Sequence, residues 1–380
     1  MKPLGRALAV SAAVLALAAC GTQTSDPQSA DEPTPSPSTS PTPSETVEPT
    51  PSATPSTSEA SVPATPGDLT LVGVPDGAPP HIPYLDTGRD GWLLIEPDGT
   101  TRPLDRQYDA FATMGDGIVG TAAVDDTTRA FVLDGDLHEV SSAEVRGGTI
   151  ATTPDGEIVA WLGADRRPHV VEQGGAQEYD LNPVPQGDHV AAVVSDGTTC
   201  KEGEEGQGCA VFVNSIDATA AWISVSHGIV DSVPGVLEID DAAASGVLGM
   251  TSLLDAGSCW GPFKGSKSAP VWETCDYTLF DYSPSGARIL GGPAYLDGFG
   301  QGLAAVLDGA DGRVVAEWHS KGQTALLDTI WEDEDHVLAV VYQREQWAVL
   351  RLGVTDGSVE VAVPPVHDPT GDAPFVLPTV

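Results

Sequence analysis

The apolar residues of this 380-residue chain come in short runs, and glycine, proline or aspartate closes almost every one. Leu93-Leu94-Ile95 is followed by Pro97-Asp98-Gly99, Ala130 to Leu133 by Asp134-Gly135, and Ala304 to Leu307 by Asp308-Gly309. Pro154-Asp155-Gly156 leads into Ile158 to Leu162, and Ala348 to Leu352 runs towards Asp356-Gly357. Asp-Gly accepts the positive φ that a tight hairpin needs. Runs this short cannot sustain a helical stripe, so the pattern predicts an antiparallel all-β fold. The one competing stretch is Ala325 to Tyr342, and its end, Val337 to Tyr342, is too β-branched for a helix.

The runs recur every 35 to 50 residues or so, the period of blades or solenoid units. The division 79–104, 105–147, 148–185, 186–226, 227–282, 283–320 and 321–366 gives seven units. Thr153-Pro154-Asp155-Gly156 before Glu157 to Trp161, and Ser283-Pro284-Ser285-Gly286 before Ala287 to Leu290, resemble the Ser-Pro-Asp-Gly turn of TolB-like and WD40-like propellers. The resemblance implies a seven-bladed β-propeller over residues 68–380. Asp68 to Val74 is then an outer strand completing the last blade, and the eight tryptophans fill the layers between blades.

The first twenty residues have another origin. Lys2 and Arg6 precede an uncharged apolar run from Ala7 to Ala19, too short to span a bilayer and suited to an export signal. Leu17-Ala18-Ala19-Cys20 resembles the lipobox of bacterial lipoproteins. That resemblance implies cleavage after residue 19 and a diacylglycerol on the Cys20 thiol, with a further acyl chain such as palmitate on its amine. Two or more chains hold a protein stably on a membrane. Residues 21 to 67 hold 20 Ser or Thr, 11 Pro, six acidic residues and no basic one. Such a segment has too little to bury to offset the entropy of ordering, and is expected to be a disordered tether. The Ala-, Gly- and Asp-rich, Lys-poor usage resembles actinobacterial proteins.

The chain carries 55 acidic and 17 basic residues. The leader takes two of the basic ones and the tether six of the acidic ones, leaving the domain near −34. That surface repels phosphates and argues against nucleic acid partners. With Cys20 assigned to lipid, Cys200, Cys209, Cys259 and Cys275 remain. Their spacing is too wide for the close pairs of zinc sites. The local pairings Cys200–Cys209 and Cys259–Cys275 fit disulfides in an oxidising compartment.

No catalytic, cofactor or metal motif stands out. Ser215 to Trp222 resembles the Asp-box of sialidase propellers, with Thr219 where glycine is expected, and reads as a turn. Glu332-Asp333-Glu334-Asp335-His336 lacks the spacing of a calcium loop and reads as a solvated blade turn, as do Asp240-Asp241 and Asp125-Asp126. Gly291 to Gly302 lacks the strand-to-helix context of a phosphate loop and reads as a long rim loop. The eight histidines, such as His81, His169 and His319, are scattered singly.

The expectation is an extracytoplasmic, lipid-anchored propeller that binds or scaffolds a protein or glycan. The alternative is an enzyme on the same fold, such as a glycosidase or lyase, because propellers host both. Such an enzyme needs carboxylates, or a base with a metal, gathered at the central channel. Fatty-acid labelling of the wild type and of Cys20→Ala checks the anchor. Label is expected in the first alone, and equal labelling would rule the anchor out.

Overall fold

The computed structural model describes residues 66–380 except 89–90, 174–177, 196–199, 201–207, 227, 245, 256, 266–267, 296–297, 370 and 380. The leader, Cys20 and the tether up to residue 65 lie outside the described residues. Along the chain the strands are β1 (Pro66–Leu69), β2 (Tyr84–Asp86), β3 (Leu93–Ile95) and β4 (Thr101–Pro103). Then come β5 (Ala110–Met114), β6 (Gly117–Val124), β7 (Thr127–Leu133), β8 (Glu139–Thr152), β9 (Ile158–Gly163), β10 (Pro168–Glu172) and β11 (Glu178–Asp180). Next are β12 (Gly187–Ser195), β13 (Cys209–Ser215), β14 (Ala221–Val225), β15 (Val230–Ser232), β16 (Glu238–Ala243), β17 (Gly246–Leu254) and β18 (Gly257–Phe263). The last are β19 (Tyr277–Tyr282), β20 (Arg288–Pro293), β21 (Leu303–Asp308), β22 (Val314–Ser320), β23 (Ala325–Trp331), β24 (His336–Gln343), β25 (Gln346–Gly353), β26 (Val359–His367) and β27 (Phe375–Val376). The described residues contain no helix, and Ala325 to Tyr342 is a strand pair.

These strands form six sheets around an axis, a β-propeller. In chain order they are β27-β2-β3-β4, the seven-stranded sheet β5 to β11, β12 to β15, β16 to β18, β19 to β22 with β1 added, and β23 to β26. The count corrects the expected seven blades to six, because units 105–147 and 148–185 are one double-width sheet. Strand β8 runs unbroken between them. Its first half pairs with β7 and its second half with β9. Gly147 and Gly148, both at positive φ, lie in the register break between the halves. A Cβ on Gly147 would sit 2.7 Å from the Asp188 carbonyl oxygen, so the fold excludes a side chain there. Unit 227–282 is also out of phase. Val230–Ser232 closes the preceding sheet and Tyr277–Tyr282 opens the next.

Middle strands are apolar on both faces because each sheet is covered on both sides. β24 and β25 are buried almost from end to end. One cluster joins Leu69, Trp318 and Leu290 of one sheet to Val337, Ala339 and Leu350 of the next. Another joins Ile158 and Val170 to Val190 and Val211. The two halves of the wide sheet meet through Val119, Val132, Ile150 and Trp161. The eight tryptophans fill these layers only in part: five are buried, Trp161, Trp318 and Trp347 fully, while Trp222 and Trp272 are half-buried and Trp92 is exposed. Each fully buried side chain stabilises by roughly 1.5–3 kcal/mol.

The ring closes differently from the expectation. The C-terminal β27 enters the first sheet as its innermost strand, pairing Phe375 with Asp86 and Val376 with Leu85. The N-terminal β1 pairs in parallel with β22, one sheet before the last. Only beyond it does the chain reach the last sheet, where Gly77 N–H donates to the Val361 carbonyl and Val361 N–H to that of Pro75.

Arg351 fixes that entry. Its buried guanidinium donates to both Glu332 oxygens at 2.5 and 2.7 Å, to Glu360 at 2.6 Å, and to the carbonyls of Ala78 and Pro79. His81 N–H also donates to Glu332. Removing one partner of a buried pair leaves the other charge uncompensated, at about 3–5 kcal/mol. Arg351→Ala should therefore lower unfolding free energy by about 3–5 kcal/mol in denaturant titration. A loss within ~0.5 kcal/mol, as at ordinary surface sites, would show that the hub is not needed.

Candidate axial site

Three successive innermost strands break register at equivalent places. The breaks fall between Ile239 and Asp241 on β16, between Leu279 and Asp281 on β19, and between Leu326 and Asp328 on β23. Each bulge is followed at once by an aspartate. A bulge bends its strand and re-aims the side chains beside it. Here it brings a carboxylate from each of three blades to the axis, and the bulged residue of β16, Asp240, adds a fourth.

The strands end at a small pocket of about 80 Å³ on the axis. Asp241, Tyr282 and Trp331 line it, with Thr152 and Pro154 from the far side of the ring. The turn holding Thr152 and Pro154 is the Thr-Pro-Asp-Gly motif, closed by Gly156 N–H donating to the Thr153 carbonyl at 2.8 Å. The Ser283-Pro284 turn on the same rim has the same closure, Gly286 N–H to the Ser283 carbonyl at 2.7 Å. The Trp331 indole N–H reaches the Asp281 carbonyl at 3.3 Å.

The axis is poor in countercharge. Asp241 accepts from the backbone N–H groups of Tyr282 at 2.8 Å and Ala242 at 2.6 Å. Among the described residues no basic side chain lines the pocket. Desolvation dominates each of the four acids. It raises Asp241 to about 7 against the pull of its two backbone donors, and Asp328 to about 6. Desolvation also holds Asp240 and Asp281 well above the usual carboxylate range, and neighbouring carboxylates push both further. By its surface, however, Asp328 is exposed, and Asp240, Asp241 and Asp281 are half-buried. Of the four, Asp241 lines the pocket itself.

Reading Asp240-Asp241 as a solvated turn was therefore wrong. The sequence did hold a signal: Ile239-x-Asp241, Leu279-x-Asp281 and Leu326-x-Asp328 recur in three successive blades. The Glu332 to His336 run also departs from expectation at its first residue, where Glu332 is buried against Arg351. His81, Glu332 and Asp333 lie close enough to share an ion, but Arg351 already supplies the positive charge there. The rest of the run is a turn, with Asp333 against the His336 ring at 2.9 Å and Asp335 near Arg288.

Both disulfides form as expected, Cys200–Cys209 and Cys259–Cys275. In the chain-entropy model each contributes about 3 kcal/mol. Ser215 caps the turn between β13 and β14, accepting from Thr219 and Ala220 N–H at 3.1 Å. Of the glycine-rich stretch, Gly291 and Gly292 lie in β20 and Gly298, Gly300 and Gly302 precede β21. Ile216, Leu254, Tyr295 and Phe299 stand exposed on turns of the face opposite the axial pocket.

No protein-family model matches the chain, and no curated protein matches it. Solved structures do. Chaetomium thermophilum Sqt1, bound to the N-terminus of ribosomal protein L10, is 14% identical, with 66% of this chain and 72% of that one covered and a TM-score of 0.41. A eukaryotic initiation factor is 13% identical over 80% and 91% of the two chains, at 0.41. A prolyl endopeptidase is 11% identical over 78% of this chain and 48% of that one, at 0.50. This chain thus spans about half of the endopeptidase, and the likeness shows the fold alone.

The raised acids set a pH dependence. A carboxyl whose folded pKa lies above its unfolded value binds more protons in the folded state, so its stabilising effect is complete below the unfolded value, near 3.8, and is lost as pH rises through the folded one. The melting temperature should therefore fall by several degrees between pH 5 and pH 8. Asp241→Asn and Asp328→Asn should each flatten that slope in a thermal scan, and an unchanged slope would contradict the assignment.

Proposed function

We propose that the chain is an extracytoplasmic bacterial lipoprotein of TolB-like type. Acylated Cys20 holds it to the outer face of the cytoplasmic membrane, and its propeller is a binding module for a protein or glycan. The observation that carries the binding reading is the axial pocket. Asp241 lines it beside Tyr282 and Trp331, Asp240, Asp281 and Asp328 lie near enough for their charges to couple, and no basic side chain among the described residues lines it. Such a pocket suits an ammonium or guanidinium group offered by the ligand, with Trp331 and Tyr282 adding cation–π attraction. At about 80 Å³ it takes a head group and a few waters, while the rest of the ligand lies on the rim.

A glycosidase or lyase needs an acid and a base whose pKa values are driven apart. Here burial drives all four carboxyls the same way. That supports binding over acid–base chemistry. A cation entering the pocket favours the ionised carboxylates and releases protons, so affinity rises with pH.

Calorimetric titration of the full chain bearing Cys20→Ser, in moderate salt, tests this with a lysine tripeptide and an arginine tripeptide as probes, both cationic across the pH range used. At least one should bind, at least tenfold more tightly at pH 8 than at pH 5.5, and should be lost in Asp241→Asn. Failure of both probes, or binding indifferent to that substitution, would contradict the proposal.

A further inference from the structure

The opposite face holds a second concavity, a cleft of about 380 Å³ between the wide sheet and the β12 to β15 sheet. It is lined by Arg146 at the bend of β8, Arg166 on the β9–β10 turn, Gln186 and Asp188 at the entry to β12, and the Ser215 to Thr219 turn. The charges offset one another, with Arg146 and Arg166 against Asp188 and Asp217. Arg146 is held by the Gly187 carbonyl at 3.1 Å and lies 3.8 Å from Asp188, which also faces His189 at 3.5 Å. Among the described residues no hydrogen bond or ion pair engages the Arg166 guanidinium or the Gln186 amide. Ile216, 73% exposed, offers the apolar patch.

The backbone framing this cleft is strained. Arg166 at φ 65°, Gln186 at φ 60° and Ala218 at φ 46° all sit in the left-handed region without being glycine. Three of the eight described non-glycine residues at positive φ thus frame this cleft, one from each of three separate loops. The side chains offer donors and acceptors side by side: guanidinium, amide, carboxylate and the Thr219 hydroxyl. A sugar's vicinal hydroxyls each donate and accept, so they match such a set. A charged peptide would need an excess of one sign, and an apolar segment would need more than Ile216.

We infer that this cleft binds a neutral, polyhydroxylated ligand, a glycan, at a site separate from the axial pocket and independent of what that pocket takes. The test is a printed array of neutral, amino and uronic oligosaccharides, probed with the full chain bearing Cys20→Ser. Parallel arms use Arg166→Ala with Gln186→Ala, and Asp241→Asn. Both cleft side chains are exposed, so the first variant should melt like the wild type. Neutral glycans should bind, with at least a tenfold loss in the cleft variant and none in Asp241→Asn. The inference is overturned if no neutral glycan binds, if only charged glycans or an acidic peptide control bind, or if neutral binding survives the cleft variant. Binding lost in Asp241→Asn alone would place the glycan at the axis and overturn the cleft, and the axial proposal would stand.

Discussion

The middle strands of these sheets are apolar on both faces, so a sheet is not stable until a neighbour covers each side. That requirement forces the ring to close, and closure rests on two β-residues, Phe375 and Val376, inserted inside Leu85 and Asp86. Tyr84 meets Phe375 edge to face at 6.1 Å, and the same layer packs against Ile330, Leu338 and Val340 of the last sheet. The chain's two ends thus meet in adjacent layers. Arg351 ties the incoming N-terminal segment to the outer side of the last sheet, where β1 and Gly77 have already bridged two sheets. Closure contacts of such sequence separation carry a large loop-closure cost, so several interactions of different kinds act at one seam.

Closing the ring also creates the site. Innermost strands converge on the axis, where space is least and water is most confined. A strand that stayed regular would alternate its side chains evenly. The bulges on β16, β19 and β23 break that alternation at one level and deliver an aspartate each. Grouping like charges there is unfavourable, and desolvation with the neighbouring carboxylates raises the pKa values of Asp240 and Asp281. Buried charge is tolerated at Arg351 for the opposite reason: two carboxylates and two carbonyls surround it, which raises its already high pKa. One molecule therefore contains a charge-balanced ionic hub at its rim and an acidic cluster without a basic partner on its axis.

Much of the architecture is legible in the sequence because turns are local. Pro154-Asp155-Gly156 and Pro284-Ser285-Gly286 announce hairpins through residues that adopt the required φ by themselves, and Gly156 and Gly286 do so at φ 69° and 73°. The disulfide pairs are legible for the same reason, since short loops close first. What escapes the sequence is long-range. Gly147-Gly148 looks like a blade boundary but is a bend within one strand, because whether hydrogen bonding continues across it depends on β9. Asp240-Asp241 looks like a solvated turn because acid pairs usually are. Only the neighbouring inner strands reveal it as axial, and the Leu/Ile-x-Asp recurrence gains meaning once the blades are aligned in space. Glu332 escapes in the same way, its partner Arg351 being supplied by another strand.

The central claim is that the ring gathers four neighbouring carboxyls without a fixed countercharge. Carbon-13 NMR of aspartate-labelled protein, with resonances assigned through single Asn variants, measures it directly. The account predicts that Asp240, Asp241, Asp281 and Asp328 all titrate well above the ordinary aspartate range, and that they shift one another's curves. Four independent titrations near about 4, the value of a freely solvated aspartate, would contradict it.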